Sequence, residues 1–129
     1  MTVGKRQQRF VAVVDDDAAV RRATRDLLNS NGFAARGYSS AEQLLQSGQH
    51  VWAGCLVLDM RLRGMSGLEL QRRLQAAGVA VPIIYCTAES DPDGRLRRRL
   101  LQAGAMAVLY KPFDPERLLR LVEDALRAG

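Results

Sequence analysis

Histidine, cysteine, lysine and long apolar runs are all scarce in this chain of 129 residues, and each scarcity removes a class of function. The single histidine, His50, is distant in sequence from both cysteines, Cys55 and Cys86, and these have no metal-ligand spacing. Zinc sites of the usual Cys/His kind are therefore excluded. Both cysteines lie inside apolar, strand-like runs, "CLVLD" and "PIIYCT", and read as buried free thiols. No apolar run approaches the roughly 20 residues of a membrane span. The opening "MTVGKRQQRF" is polar and basic, with no apolar signal core behind it. The expectation is a cytoplasmic protein without membrane contact. Nor does the net charge of +5 imply nucleic acid, because the arginines are scattered, lack aromatic interleaving and come with no helix-turn-helix signal. Only "GRLRRRLL" concentrates them, at Arg95, Arg97, Arg98 and Arg99, and such a run is ordinarily a solvated helix face.

What is present is a regular alternation. The length suits one domain, and 47% hydrophobic residues suffice for a core. "FVAVV" (10–14) is continuous, apolar and valine-rich, the signature of a strand buried on both faces. From Ala18 to about Asn31, Val20, Thr24, Leu27 and Leu28 recur at helical spacing, and "NG" stops the helix. "FAARGY" is a short second strand, and "SSAEQLLQSG" opens with a serine cap and closes on glycine. "CLVLD" (55–59) is a third strand. Ser66 caps the next helix, on which Leu70, Leu74 and Ala77 share a face. "VAVPIIYCT" is the fourth strand, followed by the arginine-rich helix to Gly104 and by "AMAVLY". Asp114 and Pro115 then suit the cap and first turn of a last helix. Five strands interleaved with five helices on short loops predict a parallel sheet covered on both faces. Residues 1–8 are expected to form a flexible tail and 9–129 the domain.

In such a sheet, ligands bind beyond the carboxyl ends of the strands. Polar residues follow the apolar runs there: Asp15 and Asp16 after the first strand, Asp59 after the third, Thr87 after the fourth and Lys111 after the fifth. Three carboxylates against one ammonium leave about −2 if all are ionised, a cluster that favours bound protons unless a cation offsets it. An all-oxygen, partly open set suits Mg²⁺. Lysine and a threonine hydroxyl opposite it suit phosphoryl oxygens. Lys111 is one of two lysines in the chain, the other being Lys5. A compact ammonium where arginine is used nearly everywhere else favours a site role. Asp17, the third acid of "VVDDD", suits the helix start instead.

Together "VVDDD", "CLVLDMRLRGMSGLEL", "PIIYCTAE" and "YKPF" resemble, in order and spacing, the receiver domain of two-component response regulators. The resemblance spans roughly Phe10 to Leu126. "MSGLELQRRL" is most similar to receivers that precede a LuxR-type DNA-binding domain. The resemblance implies a doubly wound (βα)5 fold, flavodoxin- or CheY-like, with strand order 2-1-3-4-5. It implies that Asp59 takes a phosphoryl group from a histidine kinase or phosphotransfer protein. Asp16, Asp59 and the backbone carbonyl of Arg61 would bind Mg²⁺ (or Mn²⁺), and Asp15 would assist through water. Lys111 and Thr87 would hold phosphoryl oxygens, and Pro112 would be in the cis form.

The sequence departs from that pattern at two places. Receivers usually carry an aromatic three residues before the lysine; here that position is Val108, and Tyr110 supplies an aromatic on the same strand face. Arg63 replaces a frequent proline, which predicts a more mobile loop. Arg61, Ala88 and Glu89 are expected to flank the phosphoryl site, with Arg61 and Glu89 pairing across its mouth. Phosphorylation is expected to bias a face that includes Val108, Tyr110, Arg95, Arg98 and Arg99, with homodimerisation as one outcome. A phosphatase with an aspartyl-phosphate intermediate is the competing enzyme reading, and its second acid would fall at Arg61, which is no acid. A degenerate receiver serving only as a protein-binding module is the other alternative.

Overall fold

The computed structural model describes residues 9–128, so the tail predicted over 1–8 lies outside the described residues. β1 (Phe10–Val14) is buried at every position, because it runs through the middle of the sheet with helices on both faces. β2 (Ala35–Tyr38), β3 (Ala53–Leu58), β4 (Ile83–Thr87) and β5 (Ala107–Tyr110) join it in the order β2-β1-β3-β4-β5. All four pairings are parallel. The expected doubly wound fold is what forms.

Alternation along the strands divides the core between the two faces. Phe10, Ala12, Val14, Leu56, Leu58, Tyr85 and Val108 pack with leucines of α2 (Ala41–Ser47), α3 (Gly67–Ala76) and α4 (Arg95–Gln102). Val11, Val13, Cys55, Val57, Ile84, Cys86 and Leu109 pack with Leu28 of α1 (Ala18–Ser30) and with Leu118, Val122 and Ala125 of α5 (Pro115–Ala128). Each fully buried leucine or valine contributes about 1.5–3 kcal/mol by leaving water. The thiols are free and buried as expected, and burial pushes both up to about 12. Among the described residues no helix is long and apolar enough to cross a membrane.

The caps are those the sequence suggested. Asp17 Oδ1 accepts the N–H groups of Ala19 and Val20 at 3.0 and 3.2 Å. Ser40 and Ser66 accept those of Gln43 and Glu69 at 3.0 and 3.1 Å. Asp114 Oδ1 accepts that of Glu116 at 3.1 Å. Several boundaries differ from expectation for physical reasons. β2 starts at Ala35 and not at Phe33, because the Phe33 N–H closes the end of α1 on the Leu28 carbonyl. β4 starts at Ile83 and not at Val79: the chain turns at Gly78 (φ +75°), and Pro82 has no N–H for the ladder. Ala77 lies beyond the end of α3 and is exposed, so it does not share the face of Leu70 and Leu74. A 3₁₀ turn, Gln49–Trp52, was not legible in the sequence.

Candidate functional site

Four strand ends deliver polar side chains to one edge of the sheet, and the ladder fixes their backbones. The Asp15 N–H donates to the Tyr38 carbonyl at 3.1 Å, that of Asp59 to Val14 at 3.0 Å, and that of Lys111 to Thr87 at 2.8 Å. Asp15, Asp16 and Asp59 can each offer a carboxylate oxygen with all three lying within 4.8 Å of one another. The Lys111 Nζ stands 2.9 Å from Asp15 Oδ2 and 3.5 Å from Asp59 Oδ2. The Lys111–Pro112 peptide is cis, as expected from the resemblance. Gly67 lets this edge close: a Cβ there would meet the Asp59 carbonyl and the Tyr85 ring, each at 3.0 Å.

The three acids are not equivalent. Asp15 is buried, and both its oxygens are engaged, Oδ1 by the Asp17 N–H at 2.9 Å and Oδ2 by Lys111. Its carbonyl accepts from the Arg21 guanidinium at 2.8 Å. Asp16 is half-buried and accepts the Arg63 N–H at 3.3 Å, with Arg63 Nε 3.8 Å away. Asp59 accepts the Arg61 N–H at 3.2 Å. Burial pushes the Asp59 carboxyl up; Lys111 pulls it back, and Asp15 adds a further upward push. Burial alone would depress the Lys111 ammonium, but Asp15 first and Asp59 second outweigh that and hold it above the usual lysine range.

A cleft of about 530 Å³ opens beside Asp59, bounded also by Arg61, Thr87, Ala88, Glu89 and Ser90. Asp59 is the one acid of the cluster that lines it. Thr87 is buried, and its Oγ1 accepts the Glu89 N–H at 3.1 Å, which leaves the hydroxyl proton available for donation. Arg61 Nε and the Glu89 carboxylate pair across the mouth, as expected. A second hollow of about 410 Å³, at the other end of the sheet around Leu74, Val79, Val81 and Ile83, is lined by no ionisable side chain.

The loop that carries Arg63 makes two backbone hydrogen bonds to carboxylates outside it. Asp16 takes the Arg63 N–H, a donor that proline lacks, and Glu42 takes the Met65 N–H at 3.0 Å. Glu42, Arg21 and Asp91 were not singled out in the sequence; Glu42 lies 23 positions from its partner, and no local signal points to it. On the predicted output face, Val108 is 2% exposed and Tyr110 donates its hydroxyl to Asp91 at 2.6 Å. Arg95, Arg97, Arg98 and Arg99 are all exposed on α4. Two of them are occupied within their own loop: Arg95 sits 3.5 Å from Asp93 Oδ2, and Arg98 donates to the Asp93 carbonyl at 3.0 Å.

Residues 11–123 match the response regulator receiver domain. The chain is 36% identical over 121 residues to the response regulator protein TmoT of Ectopseudomonas mendocina, covering 94% of this chain and 54% of that one. It is 35% identical over 117 residues to the transcriptional regulatory protein FixJ of Bradyrhizobium diazoefficiens, covering 91% of this chain and 56% of that one. The chain therefore spans about half the length of these curated relatives. Among solved structures, FixJ-N aligns with a TM-score of 0.82 at 32% identity, over 94% of this chain and 95% of its own. A response regulator receiver protein from Burkholderia phymatum aligns with a TM-score of 0.78 at 43% identity, over 92% and 95%. With acids, hydroxyl and ammonium gathered at the carboxyl edge of this sheet, the chain belongs to the response regulator receiver domain family of two-component signalling.

Proposed function

We propose that Asp59 is the phosphoacceptor of this domain, receiving its phosphoryl group from the phosphohistidine of a sensor histidine kinase or phosphotransfer protein. One observation carries this assignment: of the three clustered carboxylates, Asp59 alone faces the open cleft, with Lys111 beside it and Thr87 on the cleft wall. A carboxylate oxygen of Asp59 attacks phosphorus, the P–N bond breaks, and the imidazole leaves with the bonding pair. The product is an acyl phosphate. Lys111 supplies a positive charge for one phosphoryl oxygen and Thr87 a hydroxyl donor for another. The domain would catalyse only this reaction and its reversal by water. Asp16, Asp59 and the backbone carbonyl of Arg61 would hold Mg²⁺ (or Mn²⁺), with Asp15 assisting through water, and the bound cation would offset the charge on the phosphoryl oxygens. The all-oxygen donor set and its spacing fit a hard divalent ion.

The proposed unit is residues 9–129, acting in the cytoplasm. Its output would be a change in partner binding or a homodimer in which α4 arginines meet Glu116, Glu123 or Asp124 of a second copy. An effector domain beyond this chain, rather than this chain itself, would contact DNA. Incubation with a small phosphodonor and Mg²⁺ is expected to add the mass of one phosphoryl group, and chelation is expected to prevent it. No mass gain under either condition would leave only the protein-binding module.

The Arg61–Glu89 pair lines the cleft with Ala88 and would screen Asp59 from hydrolytic water. The Arg61→Ala/Glu89→Ala double variant is expected to lose its phosphoryl group several-fold faster than the parent. An unchanged decay of the phosphorylated mass would remove the pair from any screening role.

A further inference from the structure

Tyr110 is fastened at two places to the loop between β4 and α4. In the sheet it is the register partner of Thr87, where the adjoining Lys111 N–H donates to the Thr87 carbonyl at 2.8 Å. Its phenol then reaches the middle of the same loop and donates to Asp91 Oδ2 at 2.6 Å. The Asp91 carboxylate also accepts the N–H groups of Leu96 and Arg97, both at 3.0 Å. These are first-turn amides of α4, whose own N-cap, Gly94 at φ +71°, has no side chain to offer. One carboxylate thus caps the helix from upstream and holds the tyrosine. The Tyr110 hydroxyl first, and the two helix amides behind it, keep the Asp91 carboxyl below its usual range against the opposing effect of burial.

The rest of α4 is anchored unevenly. Leu100 is its one fully buried side chain, while Leu96 is half-buried and the arginines are exposed. At the carboxyl end, Gln71 Nε2 and Gln75 Nε2 both donate to the Ala103 carbonyl at 2.9 Å. Neither glutamine belongs to the phosphoryl site. The helix therefore has a carboxyl end pinned to α3 and an amino end whose polar tie to β5 runs through one carboxylate, beside the packing of Leu96 on the core.

We propose that Tyr110 and Asp91 form a latch that holds the first turn of α4 to β5 in the unphosphorylated chain and opens when Asp59 carries a phosphoryl group. The opening half of this inference rests on the phosphoacceptor reading above. Thr87 ends β4 and Asp91 lies midway along the loop 88–94 that follows it, and both meet Tyr110, one through the sheet register and the other through the phenol. Thr87 and Tyr110 both sit in the sheet, but drawing the Thr87 hydroxyl toward a phosphoryl oxygen pulls it from the Glu89 N–H that it accepts at 3.1 Å and loosens the segment leading to Asp91. A hydrogen bond of 2.6 Å weakens steeply when either partner is displaced. Val108, packed against the core without a ring to swing, supplies no second state of its own. The polar latch supplies one.

Hydrogen exchange along α4, with and without a small phosphodonor, tests both halves. Tyr110→Phe keeps the ring and leaves the Asp91 cap in place. It is expected to speed exchange at the amides of Leu96 to Arg99 about ten-fold in the unphosphorylated protein, with the strands unchanged. The parent, once phosphorylated, is expected to reach the same rates, and phosphorylated Tyr110→Phe to gain nothing further. Unchanged exchange in Tyr110→Phe would overturn the latch, as would full protection of that turn in a parent whose mass shows the phosphoryl group. Loss of protection spread over the whole chain would assign the hydroxyl a purely structural role and overturn it equally. A missing mass gain would instead defeat the phosphoacceptor reading and the opening half with it, while the unphosphorylated comparison would still decide the holding half.

Discussion

Asp59→Asn is expected to abolish phosphoryl uptake and, at the same time, to raise the melting temperature. The first effect follows because an amide is no nucleophile toward phosphorus and neither neighbouring acid lines the cleft. The second follows from the site's electrostatics. Burial and then Asp15 push the Asp59 carboxyl up, against the opposing pull of Lys111. A carboxyl whose folded pKa is raised binds more protons folded than unfolded, so its ionisation costs stability, a cost that begins above the ordinary carboxylate value and is complete above the raised one. The neutral amide removes the cost. A higher melting temperature is expected near neutral pH, each 1 kcal/mol recovered being worth about 3–5 °C in a domain of this size. The gain should shrink as the pH falls through the raised Asp59 pKa and vanish below the ordinary carboxylate range, where the parent is protonated too. Mg²⁺ gives an independent check: a ligand bound only by the folded state stabilises it by about 2.7 kcal/mol at 100 times its dissociation constant. That increment should be far smaller in the variant. A variant melting below the parent at pH 7 would show that Asp59 is not held against its own preference.

The same imbalance explains why so much of the site was legible in the sequence. Asp15, Asp59 and Lys111 each directly follow an apolar run, and Thr87 ends one. Parallel pairing then forces all four to one edge, so strand boundaries and topology suffice to assemble them without any knowledge of side-chain packing. Asp17 was separable from its neighbours for a similar reason, since a cap is a local event read from position alone.

The contacts that were not legible join residues whose proximity depends on loop conformation. Arg63 meets Asp16 across 47 positions, and Tyr110 meets Asp91 across 19. The proline-to-arginine departure was visible, but Asp16 as the partner of the added N–H was not. Likewise, the missing aromatic at Val108 was visible, yet nothing in "AMAVLY" reveals that the Tyr110 hydroxyl is tied down. Strand alternation fixes the face of a side chain but not the partner at its tip. The arginine-rich helix shows the same limit: its exposure was foreseen, while the engagement of Arg95 and Arg98 with Asp93 was not.

Lys111→Ala should produce the largest loss of stability available from a single change at this edge. Asp15 is 5% exposed, and the ammonium is its partner at 2.9 Å. Asp59 shares that ammonium at 3.5 Å. Removing it leaves two carboxylates close together and largely out of water, the situation in which breaking a buried pair costs about 3–5 kcal/mol. A fall in melting temperature on the order of 10 °C is expected near pH 7. Because the folded pKa of Lys111 is raised, its contribution is complete below the ordinary lysine value and fades as the pH rises through the raised one. The gap between parent and variant should therefore stay open through neutral and mildly alkaline pH and close only in strong alkali. It should also narrow in acid, where Asp59 in the variant, no longer restrained by the ammonium, takes up a proton. Asp15→Asn placed on top of Lys111→Ala removes the stranded charge and is expected to recover more than half of the loss, although phosphoryl uptake stays low without the lysine. If the double variant were no more stable than Lys111→Ala alone, the lysine would be acting through its alkyl packing and not as the counter-ion of a buried acid.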